Sequence, residues 1–447
     1  LDKSPSINTP ADDAVNSVAT LEYAVNGVYY TMTGTRGTYV GDFTIFADLR
    51  GGDIEPWDTY NQISPVAFYQ VDKNHSIALD FYSAFYSALA RVNKVMEQAE
   101  KLDVPASEQA TYNQLVGELY ALRAMFHFDL ARLYTKIPTT NGVDVNAANS
   151  GIVLSTAVYP ANYIGERATL KATYDQILND INTALGKLQT TKIPGHINLW
   201  AAKALQARVN LYNGNNQAAF DAALEVINSG SYSLYSTSNY LTVWAAENTS
   251  ESILEILTTP IYNAQRNSLG YYTNIAGYAE AAVSAELEEL LANNPNDIRS
   301  KMIGIQEDSG YSGLFFNKYP GRSNNLYLNN PKIFRLSEMY LIAAESKVKG
   351  ATGGQNASDY INTLRKNRIT GYTDVSAVTL SDILTERRIE LFGEGHHAWD
   401  YWRNNLPVNN SSVSGGTVAP DYYMTILPIP QTEIEVSKGK LNQNPEY

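Results

Sequence analysis

Apolar side chains recur at three- and four-residue steps along most of this chain, and that spacing restricts the folds open to it. Tyr82, Phe85, Tyr86, Leu89, Val92 and Met96 fall on one face of a helix. Leu115, Leu119, Leu122, Phe126, Leu130 and Leu133 do the same, as do Tyr174, Ile177, Leu178, Ile181, Leu185 and Leu188. Further amphipathic runs are predicted over roughly 198–212, 217–228, 333–349, 356–368 and 380–392. A helix with one apolar stripe must bury it against another element, so the chain is predicted to be all-α.

The helices come in pairs separated by short polar breaks. Asn213, Gly214, Asn215 and Asn216 divide one pair, and the run from Gly350 to Gly354 divides another. The stretch LWAAKALQARVNLYNGNNQAAFDAALEVINSG resembles a tetratricopeptide unit, in which small Ala residues let two helices approach closely and a polar turn reverses the chain. The period is too irregular for a plain solenoid. Several helix hairpins packed into one domain over 1–447 are expected, with the scaffold mainly at 78–135, 170–228 and 333–400 and a tether over 1–20.

Between 229 and 332 the helical signal nearly vanishes, and Gly, Asn, Ser, Pro and Tyr accumulate. Within it ESILEILTT reads as a short strand, since alternation and β-branched residues favour one. Segments 34–76 and 404–424 also read as loops. A hundred loop-rich residues inside a helical protein are uncommon without a function, so a binding surface is expected there.

Composition narrows the function. The formal charge of −13 and the absence of any Lys/Arg run argue against nucleic-acid binding, because an acidic surface repels phosphate backbones. There is no Cys, so disulfides, thiol nucleophiles and thiolate metal sites are excluded. No apolar stretch reaches the length needed to span a bilayer. The polar start LDKSPSINTPADD reads as the tether of a mature chain whose signal peptide has gone. The 32 Tyr against 12 Phe favour the aromatic that can stack on a ligand and hydrogen-bond it as well; most of them nonetheless fill half-buried helix positions.

The densest polar cluster is ERRIELFGEGHHAWDYWRNN, residues 386–405. Glu394, His396, His397 and Asp400 invite a metal or acid–base reading. Adjacent histidines on a helix point about 100° apart, however, and no HExxH spacing or third ligand accompanies them. Arg387, Arg388 and Arg403 stand close enough in sequence to pair these carboxylates, so the cluster reads as a structural buckle. No GxSxG and no phosphate-binding loop occur, and no local signature selects a hydrolytic carboxylate pair. Catalytic residues, metal ligands and cofactors are therefore all expected to be none.

Candidate ligand contacts come from loop-borne aromatics. Trp57 and Tyr60 lie in RGGDIEPWDTYN, and Tyr271, Tyr272 and Tyr278 in SLGYYTNIAGYAE. An exposed Trp or Tyr on a loop is a natural platform for the apolar face of a sugar ring or for a peptide side chain. Burial as a plug onto the core is the competing reading for Trp57. Arg266 and Asn274 nearby could supply hydrogen bonds.

Several motifs in order resemble the SusD/RagB family of outer-membrane nutrient-binding lipoproteins. These are GELYALRAMFHFDLARLY ending at Tyr134, the Asp297–Arg299 segment, Lys318–Tyr319, PKIFRLSEMYLIAAESKVKG, the 386–405 cluster and the closing LPIPQTEIEVSKGKLNQNPEY. The start at Leu1–Asp2 also resembles a family member just after its lipidated Cys. Departures are His397 where Arg is common and a final Pro-Glu-Tyr in place of Pro-Gly-Tyr. The resemblance implies an all-α scaffold of about four tetratricopeptide-like hairpins under a variable loop-rich face, lipid-anchored on the cell surface at the outer membrane, acting with a SusC-like TonB-dependent transporter and breaking no bonds. It transfers no ligand role to any single residue.

The expected function is capture of oligosaccharides for such a transporter, with peptide capture as the alternative within the same architecture. A helical carbohydrate-active enzyme would need a carboxylate pair that no signature marks. A plain protein-binding scaffold fits poorly with the irregular repeats and long loops.

Overall fold

The computed structural model describes residues 14–34, 36–57 and 62–447. Its elements follow in chain order. The N-terminal part holds α1 (Val18–Thr31), α2 (Phe46–Gly51), β1 (Ile54–Pro56) and α3 (Ser64–Ala67). The first scaffold run is α4 (Ser76–Ala99), α5 (Gln109–Tyr134), α6 (Leu170–Leu185), α7 (Leu199–Tyr212) and α8 (Asn216–Asn228). The irregular region carries β2 (Ser252–Glu255), α9 (Leu269–Tyr272), β3 (Ala281–Val283), α10 (Ala285–Ala292), β4 (Ile303–Asp308), β5 (Tyr311–Phe316) and β6 (Lys332–Arg335). The chain closes with α11 (Leu336–Val348), α12 (Ala357–Lys366), α13 (Leu380–Leu391), α14 (His397–Trp402), β7 (Val408–Asn409), β8 (Thr417–Val418) and α15 (Gln431–Val436).

The scaffold helices pack each against the next: α4 on α5, α5 on α6, α6 on α7, α7 on α8, α8 on α11, and α11 on both α12 and α13. The predicted stripes are the buried ones; Phe85, Leu89, Leu119, Leu122, Leu133, Ile177 and Ile181 are all removed from solvent. Starts are fixed by side chains that satisfy the orphan N–H groups of a first turn. Ser17, Thr169, Asn198 and Thr379 accept from Thr20, Ala172, Ala201 and Asp382, and Ser17 and Thr379 form reciprocal capping boxes. The breaks at 213–215 and 349–356 separate α7 from α8 and α11 from α12, as the polar residues there require. The architecture is all-α, with hairpins beneath an irregular portion.

Four antiparallel pairs organise the remainder among the described residues: β1 with β3, β2 with β6, β4 with β5 and β7 with β8. The strand expected in ESILEILTT is β2, buried throughout.

Three expectations change. Segment 34–76 is not a plain loop, since it contains α2, β1 and α3. Every residue of α2 is buried, so no polar face exists to create a period. Region 229–332 carries a true helix, α10, capped by Ser284, and 404–424 closes a short hairpin. Residues 333–335 extend β6 instead of starting α11.

Candidate functional site

The cluster at 386–405 is part of a buried ion network that reaches far beyond it. Glu390 accepts from Arg335 at 2.8 Å and from Arg368 at 2.9 Å, and Arg299 lies 3.1 Å away. Glu251 joins Arg335 at 2.5 Å and Arg368 at 2.8 Å. Glu386 binds Arg299 and Arg365, each at 2.6 Å, and Asp297 binds Arg299 at 2.6 Å. Glu394 is held by Arg335 at 2.8 Å and Lys318 at 2.7 Å. Five carboxylates thus face five cations, so the cluster is neutral as a whole and its members can stay charged without water.

Burial alone would raise the Glu390 and Glu394 pKa values. The surrounding arginines, with Lys318 at Glu394, outweigh it and hold both carboxyls below their ordinary range. Asp400 is bound by Arg387 at 2.7 Å and Arg403 at 2.8 Å. His396 is buried among arginines, and burial first, then those charges, keeps it neutral. The structural reading of this cluster holds, with altered partners: Glu394 uses Arg335 and Lys318, while Arg388 serves Asp53 at 2.6 Å. His397 Nδ1 lies 2.9 Å from Asp53 on the other side. Among the described residues no three His, Cys, Asp or Glu side chains are grouped to hold a metal ion.

The loop-borne aromatics fall into two groups, one around Trp57 and one around Tyr271. β1 pairs with β3 in the register Ile54↔Val283 and Pro56↔Ala281, which carries the chain straight into Trp57. The Trp57 amide donates to Glu280 O at 3.3 Å, and its ring meets Phe315 edge-on at 5.7 Å. Phe315 forms its own small apolar cluster with Ala279, Ala282 and Ile275, separate from the main core. Gly313 on β5 makes room for the indole, since a Cβ there would stand 3.1 Å from Trp57 Cε2. Trp57 remains 38% exposed, so part of its ring is open to solvent. Ile305 and Tyr311, on the β4–β5 hairpin, are exposed as well.

The neighbouring segment 271–278 folds back on itself. The Tyr278 amide donates to Tyr271 O at 2.7 Å, and Gly277 to Asn274 O at 2.9 Å. A Cβ on Gly277 would sit 2.2 Å from Tyr271 O, so this turn needs glycine. Tyr271 meets Tyr278 edge-on at 4.7 Å and Tyr327 at 5.7 Å. Arg266 is exposed beside them; its hydrogen bond with Tyr327, then the neighbouring tyrosines, raise its pKa above the ordinary value. Ile275 N donates to Gln306 Oε1 at 3.0 Å, tying this segment to the β4–β5 hairpin that supports Trp57.

Trp57 and Arg266 are exposed and Tyr271 and Tyr278 half-buried, whereas two other candidates differ. Tyr272 is 0% exposed, because α9 turns its ring inward, so it anchors the segment and offers no face. Asn274 spends its Oδ1 on its own turn, accepting from Ala276 N at 2.9 Å. Tyr60 lies outside the described residues, as do residues 1–13 of the expected tether over 1–20, whose last three residues instead open α1 behind the Ser17 cap. Tyr327, Phe315 and Tyr311 were not singled out by the sequence. Tyr327 stands in the run GRSNNLYLNN, the same Gly- and Asn-rich setting that marked Tyr271.

A body of helical hairpins carrying exposed aromatics on irregular loops is the architecture of the SusD superfamily. One such protein from Bacteroides thetaiotaomicron matches with a TM-score of 0.88 at 28% identity, over 96% of this chain and 100% of its own. The surface glycan-binding protein A of the same organism, solved with laminarihexaose, matches with a TM-score of 0.76 at 20% identity over 95% of this chain and 99% of its own. A SusD-like protein of Bacteroides ovatus is 23% identical over 77% of this chain and 68% of its own length. A model of the SusD family matches residues 204–447. A second, described as starch-binding associating with outer membrane, matches residues 1–211. The chain belongs to the SusD family.

Proposed function

We propose that this protein captures oligosaccharides at the cell surface, held there by a lipid at its N-terminus, and passes them to a SusC-like TonB-dependent transporter without cleaving them. The observation that carries the reading is Trp57, braced edge-on by Phe315 and partly open to solvent, with the Tyr271–Tyr278–Tyr327 group tied to the same β4–β5 hairpin through Ile275 and Gln306. A flat indole next to phenol hydroxyls and the exposed Arg266 supplies stacking for the apolar face of a sugar and donors for its oxygens. The family description as starch-binding and the laminarihexaose complex of a structural relative support the same ligand class. A non-catalytic role agrees with the carboxylates of the densest acidic cluster being committed to ion pairs. Glycoside hydrolysis requires one carboxyl kept protonated beside the bond, and Glu390 and Glu394 are shifted the opposite way.

Trp57→Ala is expected to weaken oligosaccharide binding by about 1–2 kcal/mol, roughly tenfold in Kd, with the melting temperature unchanged. Calorimetric titration beside a thermal melt checks both. Unaltered affinity in a well-folded variant would remove Trp57 from the site.

A further inference from the structure

A second cleft, of about 450 Å³, opens between α4, the loop over 153–165 and α15. None of the platform residues lines it. Its volume falls in the roughly 300–1,000 Å³ range of small-ligand sites. One wall is the face of α4 that carries Tyr82 and Tyr86, four residues apart, with rings 4.4 Å apart. The other wall holds Tyr159 and Tyr163, stacked face to face at 4.0 Å and 10°. Tyr163 is 48% exposed, so this stack offers an open aromatic surface at the mouth. The Tyr86 hydroxyl donates to Val153 O at 2.9 Å and fixes the two walls relative to each other.

The polar groups define the occupant. Glu433, on α15, reaches the cleft partly buried; among the described residues its carboxylate makes no ion pair or hydrogen bond, and burial raises its pKa. Arg167 donates to Gly151 O and Asn442 O, neutral acceptors that leave its charge in place behind Tyr82 and Tyr86, and Lys440 pairs with Glu166. Ser83 and Ser87 add hydroxyls to the lining, while Ser437 Oγ is held by Ile434 O and Leu441 N. An anion lying against Glu433 would be repelled by a carboxylate that no ion pair offsets. A purely apolar occupant would strand that carboxylate without a donor. A neutral ring with one apolar face and hydroxyls at its edge satisfies both walls and the carboxylate.

We propose that this cleft is a second saccharide site, in which a pyranose lies against the Tyr159–Tyr163 stack and donates hydroxyl protons to Glu433. The proposal rests on the glycan-capture reading above but uses none of its residues. Two such sites on one chain would raise the retention of a long glycan through effective concentration.

The test is calorimetric titration of the full chain with soluble hexaoses of glucose, mannose, xylose and galactose, and with oligolysine. The expected result is two saccharide sites per chain, falling to one in Tyr163→Ala and again in Glu433→Gln, with Trp57→Ala weakening the other roughly tenfold. Both cleft variants should keep the wild-type melting temperature, since Tyr163 is exposed and Gln is isosteric with Glu. A single site weakened in Trp57→Ala and indifferent to both cleft variants overturns the cleft while leaving glycan capture intact. A single site lost only in the cleft variants supports the cleft and overturns the Trp57 platform. No binding of any hexaose overturns both readings. Oligolysine binding that depends on Glu433 and that no hexaose displaces overturns the saccharide assignment in favour of a cationic peptide.

Discussion

Glu394 sits between Arg335 and Lys318 with almost no water, and removing it would leave two cations facing each other in a dry interior. Breaking one partner out of a buried ion network costs about 3–5 kcal/mol, because the remaining charge loses its compensation. Glu394→Ala and Asp400→Ala are therefore expected to lower stability by that order, read from denaturant unfolding, with oligosaccharide affinity of the folded fraction unchanged. Loss of binding at an unchanged melting temperature would contradict the structural role. Residue identity alone showed that these carboxylates are paired, because arginines crowd the same stretch. It did not show that Glu394 reaches Lys318 and Arg335, since those partners lie 76 and 59 positions away in sequence. Trp57 and Tyr271 were found through their Gly-rich loops, while Tyr272, one position on, points the opposite way for reasons of local turn geometry that no composition records.

The helices were legible where they have two unlike faces. α4, α6, α8 and α12 have a buried stripe and a wet one, so their spacing announces them; α5, α7 and α11 are buried over most of their surface and are marked instead by the length of their apolar runs. α2 was not legible, because all six of its residues are buried and it has no contrast to display. α1 was blurred in another way: Val18, Leu21, Val25 and Val28 form its inner stripe, but Tyr23 and Tyr30 stand exposed on the outside. The short α2 is followed by Gly52 at φ +79°, where a Cβ would fall 2.3 Å from Asn409 O. Left-handed backbone alone costs about 1–2 kcal/mol for a residue with a side chain, and the clash adds to it. Gly52→Ala is expected to destabilise by more than that figure and to weaken oligosaccharide binding, because β1 and Trp57 follow directly. Urea unfolding and titration of the same sample check the two effects together.

Across the molecule, the motifs that resemble a family signature converge in space. Asp297, Arg299, Lys318, Arg335, Glu386 and Glu394 come from separate stretches and meet in one ion network that ties the irregular region to α11 and α13. That convergence explains why a signature can be strong for the fold and silent on the ligand. It also sets a pH response. Glu386, Glu390 and Glu394 titrate below the ordinary 4.5, so the stability they contribute is complete above that pH and is lost as the pH falls through and below it. His127, pulled down by burial to about 3, and His396 stay neutral when folded, whereas unfolded histidines take a proton near 6.5. Their effect starts earlier and has the same sign. Asp42 and Asp48, raised by burial, oppose part of the acid loss. Stability should decline in two stages on acidification, beginning near pH 6.5 and steepening below 4.5; urea midpoints across that range would show it, and a flat profile would contradict it. The most direct measurement is a binding screen of the purified chain against polysaccharides and oligosaccharides, with product analysis of every ligand retained. Capture with the ligand recovered intact, and weakened by Trp57→Ala, is the expected result; cleaved ligand, or binding of peptides with no glycan retained, would contradict glycan capture.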